Sequence, residues 1–480
     1  MEQTSGDEQG TPRHGEQAGH GHGDGHDHGD GPRQSGGWLR ARGDVSALRR
    51  SLRGLVLRCL GIDIAKDEPH DHDHDEDLPP DVKRADHRFG GGYLYKAREL
   101  LVTRDDLSLL RRELQRLHVR LAPGEPEPIG GTRLLRLFLD ADERRTVAEV
   151  VTILREIDLE DRDPLRVYPN HVLVGASHPK AFPCDSPKAA GPLPDPPANG
   201  GQPGAGVRVA VLDSGVVDGH PWLNGRAVPL DAAGDVEQPE LENSALKHSS
   251  GHGTFVAGVV LQCAPGAEVV AKRVFGGNGL TSDTDLAAAL RALPADIHVI
   301  NLSLGATTHN NVGLPDTQVA LQELAQREPR PVVVAAAGND GVTQETYPAA
   351  FKDVIAVGAR QAPGGERACF SNHGIWVDAC AMGQRVHSTF FEDLNRTPEE
   401  IPPDCLADPP PGPQQFRGFA TWSGTSFAAP CVAGAIAARM TDQNVDAVEA
   451  AFQLVHANGR PQHPTGDLGT IVNCGGGGVD

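Results

Sequence analysis

The sequence predicts an α/β fold: a mainly parallel, doubly wound sheet preceded by a small α+β domain. Three observations carry that prediction. Between residues 205 and 480, short apolar runs alternate with helical periodicity, as in a parallel sheet covered on both faces. Upstream, within residues 91–180, a strand–helix–strand pattern occurs twice over. A Pro-, Gly- and Ala-rich stretch, residues 181–204, reads as an extended linker between the two.

Residues 1–90 stand apart from both. Residues 1–37 are Gly, His, Asp and Glu with almost nothing to bury, and they read as disordered. Trp38–Leu60 is a basic amphipathic stretch, with Leu48, Leu52 and Leu55 at helical spacing. It reads either as a short helix packed on its own chain or as one facing a partner or a membrane surface. Asp67–Pro80 is an acidic, His-rich linker.

In the following domain, Glu99–Thr103, Thr132–Leu139 and Arg166–Val174 read as strands. Asp105–Leu117 and Asp142–Ile157 read as helices, the first with Leu107, Leu110, Leu114 and Leu117 on one face. That order suggests a ferredoxin-like arrangement. In the larger region the buried strands are Val207–Leu212, Val269–Val274, Ile297–Leu302, Val332–Ala336 and Val354–Gly358. Helices are expected at Phe255–Gln262, Asp283–Leu293 and Thr317–Arg327. A Pro-rich segment, residues 392–418, interrupts the pattern as an inserted loop.

A chain of 480 residues can bury a sizeable core without disulfides or metals. Its formal charge of −21 weighs against a general nucleic-acid partner. The longest uncharged apolar stretch, Val332–Ala337, is far too short to span a bilayer, so no transmembrane segment is expected. Met1–Asp30 has no signal-peptide core. Arg49-Arg50 loosely imitates a twin-arginine signal, but Arg53 and Arg58 interrupt the apolar run. A cytoplasmic location is therefore expected. The eight cysteines form no C-x-x-C pair and are expected as reduced thiols. No oligomeric state is legible.

Three short motifs carry chemistry, and a fourth segment ends a strand of the same sheet. Val209-Ala210-Val211-Leu212-Asp213-Ser214-Gly215 puts a carboxylate at the C-terminal end of a buried strand, the edge where open α/β sheets build sites. Gly251-His252-Gly253-Thr254 directly precedes an apolar helix. Ser423-Gly424-Thr425-Ser426-Phe427-Ala428-Ala429-Pro430 opens another helix, where backbone N–H groups are free. Ala335-Ala336-Ala337-Gly338-Asn339 ends a strand. Taken singly, each residue has an ordinary reading: a turn Asp or Asn, a structural His, a Ser cap. Those readings do not explain why all four sit at strand ends and helix starts of one sheet.

In this order and context the motifs resemble the subtilisin-like serine peptidases (the subtilases, family S8), over roughly residues 205–445. The resemblance implies a subtilisin-like α/β fold and a serine endopeptidase acting on peptides or proteins. It implies Ser426 as nucleophile, His252 as its base, Asp213 as the orienting carboxylate and Asn339 as an oxyanion donor. It also implies substrate-edge segments at Ser303-Leu304-Gly305 and Ala336-Ala337-Gly338, with Gly277 on the facing strand.

The chain departs from the family at Phe255, where many members have His, and at Phe427, where many have Met. Ala381-Met382-Gly383 replaces Ala-Pro-Gly. The small α+β domain fits the family's propeptide in size and order, or it is a fixed accessory domain. No required cofactor is implied. Calcium sites are common in the family, but no D-x-[DN]-x-[DN]-G loop is visible. No catalytic metal is expected, since H-E-x-x-H is absent. His20, His22, His26 and His28, with His70, His72 and His74, form either a solvated tail or a loose site for Zn or Ni. The alternative function is a latent or non-catalytic scaffold whose N-terminal tail binds metals or partners.

Overall fold

The computed structural model describes residues 78–86, 92–157, 163–175, 186–195, 202–361, 365–398, 412–457 and 463–474. The expected N-terminal tail with Trp38–Leu60 and both His-rich tracts lies outside the described residues, as does the centre of the inserted loop.

The first described region contains β1 (Val82–Asp86), β2 (Gly92–Thr103), α1 (Leu107–Arg116), β3 (Glu127–Pro128), β4 (Leu134–Phe138), α2 (Val147–Glu156) and β5 (Val167–Gly175). Its strands pair antiparallel in the order β5-β2-β4-β3, with β1 also against β2. β2 begins at Gly92, earlier than the sequence pattern suggests, because Tyr93 and Tyr95 are also buried. A register shift between Tyr95 and Leu100 hides the alternation. α2 starts later than Asp142 because Thr146 and Glu149 close a capping box. The Thr146 N–H donates to the Glu149 carboxylate at 2.7 Å, and the Glu149 N–H donates to Thr146 Oγ1 at 3.2 Å.

The second region begins with β6 (Lys188–Ala189), β7 (Arg208–Asp213), β8 (Ala227–Pro229), β9 (Leu241–Glu242) and β10 (Ala245–Leu246). It continues through α3 (His252–Cys263), β11 (Glu268–Arg273), β12 (Leu280–Ser282), α4 (Asp283–Arg291), β13 (Val299–Leu302), β14 (Leu304–Gly305) and α5 (Pro315–Leu324). Next come β15 (Val332–Ala336), β16 (Val354–Arg360), β17 (Ala379–Met382), β18 (Val386–Thr389), β19 (Leu394–Arg396), β20 (Gln414–Phe416) and β21 (Phe419–Trp422). The last elements are α6 (Thr425–Gln443), α7 (Ala447–Ala451) and β22 (Thr470–Ile471).

Eight of these strands form a parallel sheet in the order β22-β17-β16-β15-β13-β7-β11-β8. The strands read as continuous apolar runs because both faces are covered. Along β7, Val209 and Val211 pack with Phe255 of α3 and Val432 of α6. Ala210 and Leu212 point the other way, toward Leu286 of α4 and Leu321 of α5. The inserted loop is anchored by its ends: β19 pairs with β20, and Phe390, Phe391 and Phe416 are buried.

β5 bridges the two regions. Beyond its pairing with β2, its C-terminal end pairs antiparallel with β12 and with β14. Cysteine usage differs from the reduced thiols expected. Cys263 and Cys474 form a disulfide, their Cα atoms 4.8 Å apart and so within bridging reach, and Cys369 is also disulfide-bonded. Cys431 keeps its thiol, with its Sγ 2.7 Å from that of Cys474. Among the described residues, no helix is long and apolar enough to cross a membrane.

Candidate active site

Asp213 ends β7 and His252 opens α3, on neighbouring parts of one sheet edge. Gly251, at φ 86°, turns the chain into α3 in the left-handed region, where a side chain would be strained. Gly253 lets the helix approach β7: a Cβ there would stand 2.1 Å from the Gly215 carbonyl oxygen. The result is close pairing. His252 Nδ1–H donates to Asp213 Oδ1 at 2.7 Å, and both side chains are fully buried. The carboxylate accepts only, so the proton of this bond sits on Nδ1, and it is Nε2 that can carry the lone pair of the neutral ring. That Nε2 has no hydrogen-bond partner among the described residues. Trp422 and Phe427 stand against the ring, with centroids at 5.4 and 5.2 Å, and exclude water around it.

Ser426 lies in the first turn of α6, where backbone N–H groups fall outside the helical ladder. Pro430 cannot donate to the carbonyl of Ser426 four residues back. Ser303 replaces that bond: its hydroxyl donates to Ser426 O at 2.7 Å and accepts from Asn301 Nδ2 at 2.9 Å. The Ser426 hydroxyl in turn donates to Ser303 O at 3.5 Å.

Asn339 has its amide orientation decided by Thr425. The Thr425 backbone N–H can only donate, and it meets Asn339 Oδ1 at 2.8 Å, as does the Thr425 hydroxyl. The Asn339 NH₂ is therefore the end turned away from Thr425. Asn339 and Ser426 border one small, half-open cleft with Leu304, Gly305, Ala336 and Gly338, and Val174 of β5 lines it too.

The other expected substrate-edge residues divide. Leu304 and Gly305 form β14 and pair with β5. Ser303 supports the start of α6. Ala337 is bonded into the protein, its N–H to Val357 O and its carbonyl to Asn372 Nδ2. Gly277 does not lie on the facing strand: it packs against Glu240 and Lys247, and its carbonyl accepts from the Ser249 N–H. Gly279 and β12 take that place, and the Gly175 N–H donates to Gly279 O at 2.7 Å.

Sequence reasoning did not find Glu237. It lies fully buried behind the start of α3 and accepts four hydrogen bonds. Ser214 Oγ donates at 2.5 Å and Gly251 N–H at 2.8 Å to one oxygen. Thr254 N–H donates at 3.1 Å and Thr254 Oγ1 at 2.5 Å to the other. Burial is the main cause that pushes its carboxyl up to about 7, with nearby Asp213 adding to the rise and the hydroxyl donors opposing it. The only signal in the sequence is an acidic residue in an irregular segment, which has no periodicity to read.

A model of the subtilase family matches residues 204–456, more than half of the chain. Subtilisin BL and subtilisin Savinase, both of Lederbergia lenta, are each 34% identical over 251 residues, covering 50% of this chain and 78% of theirs. Thermitase of Thermoactinomyces vulgaris is 31% identical over 242 residues, 48% of this chain and 74% of its own.

Proposed function

Because the chain belongs to the subtilase family of serine proteases, we propose that it is an endopeptidase that cleaves peptide bonds through an acyl-enzyme on Ser426. The observation that carries this reading is the buried 2.7 Å pair of His252 and Asp213, with Nε2 left unbonded and Phe427, the chain neighbour of Ser426, against the ring.

A serine hydroxyl needs a base during attack, and imidazole has the right basicity. Ser426 turns from Ser303 O toward His252 Nε2 and gives up its proton as its Oγ adds to the substrate carbonyl. Asp213 holds the Nδ1–H tautomer and stabilises the imidazolium. The oxyanion forms against the Asn339 NH₂ and the Ser426 N–H. His252 then returns the proton to the leaving amine, and water repeats the sequence to release the acid.

Residues 92–175 act as an internal inhibitor in this reading. The pairing of Val174 and Gly175 with Gly305 and Leu304 supports it, since this strand lies where an added substrate strand would pair. The non-catalytic scaffold is not favoured: a scaffold has no use for a polarised buried histidine beside an unbonded Nε2.

The test is a fluorophosphonate probe on the full-length protein, read by intact mass beside Ser426→Ala. We expect an adduct on the wild type alone. Equal labelling of both proteins, or none of either even after limited proteolysis upstream of residue 202, refutes the assignment of Ser426.

A further inference from the structure

β5 reports what the cleft admits, because its end is held there from three sides. Leu304 stands opposite Gly175, and Gly305 opposite Val174. The Gly175 N–H donates to Gly279 O at 2.7 Å, and its carbonyl accepts from Ser249 Oγ at 3.1 Å. A chain so bonded cannot move sideways. In this antiparallel register the next position of a bound peptide falls opposite Ser303, whose carbonyl accepts from the Ser426 hydroxyl. The residue seated like Gly175 is therefore the one immediately before the residue attacked.

That seat has no room for a side chain. A Cβ on Gly175 would lie 2.1 Å from Phe275 Cε1 and 2.2 Å from Cζ, where carbon atoms at ease stand about 3.5–4.0 Å apart. The obstacle is a ring that is itself packed. Phe275 is 4% exposed and shares a core cluster with Leu173, Leu212, Leu286 and Leu304. Its centroid is 6.3 Å from that of His252, so the filled space adjoins the proposed base. Two residues earlier the situation reverses: Leu173 is fully buried in the same cluster.

Resting on the endopeptidase reading, we infer that Phe275 is a specificity-determining residue. It closes the subsite beside His252 and restricts substrates to peptides with glycine immediately before the residue attacked. Larger residues at that position must displace either a packed ring or a strand bonded on both edges.

The experiment measures kcat/KM on full-length protein whose reactive sites are titrated with a fluorophosphonate. The substrates are Leu-Val-Xaa-Ala anilides with Xaa as Gly, Ala or Leu, the leading Leu matching Leu173. Wild type should favour Gly over Ala by about 30-fold, the scale of one misplaced methyl group or more. Phe275→Ala should bring the Ala peptide within about threefold of the Gly peptide; Phe275→Val serves if the larger truncation does not fold. Equal use of the Gly and Ala peptides by wild type overturns the inference while leaving the endopeptidase reading intact.

Failure of wild type to label, even after limited proteolysis upstream of residue 202, overturns the endopeptidase reading instead. The fit is then read from the protein's own strand, as it is for a protein that labels but turns over no peptide. On a Ser426→Ala background, Gly175→Ala should lower the thermal midpoint, and the same substitution should cost less when Phe275→Ala is already present. An unchanged midpoint in Gly175→Ala overturns the inference.

Discussion

Two buried carboxylates flank the start of α3, and their surroundings differ in kind. Asp213 faces a titratable partner, the His252 imidazole. Glu237 accepts hydrogen bonds from neutral donors alone: the hydroxyls of Ser214 and Thr254 and the N–H groups of Gly251 and Thr254. Ser214 stands between them, its Oγ 2.5 Å from Glu237 and 3.2 Å from Asp213. The contrast separates two jobs. A carboxylate beside an imidazole fixes a tautomer and can stabilise a charge that appears during reaction. A carboxylate among backbone donors holds the helix start that carries the imidazole, and its burial raises its own proton affinity.

The largest effect should come from breaking the first member. Asp213→Asn keeps the size of the side chain but favours the wrong imidazole tautomer. By analogy with the chymotrypsin-type triad, kcat should fall by about 10⁴-fold. Because Asn retains a hydrogen bond to the ring, the unfolding midpoint should move little. Steady-state kinetics beside thermal unfolding checks both, and a variant that loses the fold together with activity refutes the division of roles. Asn339→Ala should come next, with kcat lower by about 10²–10³ and KM nearly unchanged, as expected of a donor that acts mainly in the transition state. The magnitude is that of the subtilisin oxyanion asparagine. A rise in KM at constant kcat would instead make Asn339 a ground-state contact.

The two carboxylates also differ in how plainly the amino-acid sequence marks them. Asp213 ends an apolar run and His252 precedes one, so strand and helix patterns mark both. The same holds for Ser426 and Asn339, and the fold pairs Asp213 with His252 and sets Asn339 and Ser426 on one cleft. Glu237 has no such marker, because its partners are 14 to 23 residues away along the chain and meet it only once α3 packs on β7. The β14 side of the cleft was legible through Leu304 and Gly305, whose strand follows β13 directly. The facing side was misjudged by two residues, Gly277 for Gly279, since a loop of glycines gives no register. Phe275 reads as one more apolar residue until the close approach of Gly175 gives it a role.

Breaking the second member should cost stability before it costs chemistry. Each Glu237 oxygen accepts one backbone N–H, from Gly251 on one side and Thr254 on the other. In Glu237→Gln, whichever way the amide is turned, one of those donors meets an NH₂ group. The expected loss is about 1–3 kcal/mol, the scale of a buried unpaired donor, with fluorophosphonate labelling of Ser426 retained. The loss should also depend on pH. Folded Glu237 keeps its proton up to about 7, whereas the unfolded chain releases it near the ordinary 4.5. Between those values the folded state binds more protons, so wild-type stability falls as pH rises through this window. Glutamine has no such titration. The stability gap between wild type and Glu237→Gln should therefore be widest at and below about pH 5 and narrow toward about pH 8. Urea unfolding of both proteins across that range measures it. A gap that stays constant or widens with pH means that Glu237 is already ionised in the folded protein.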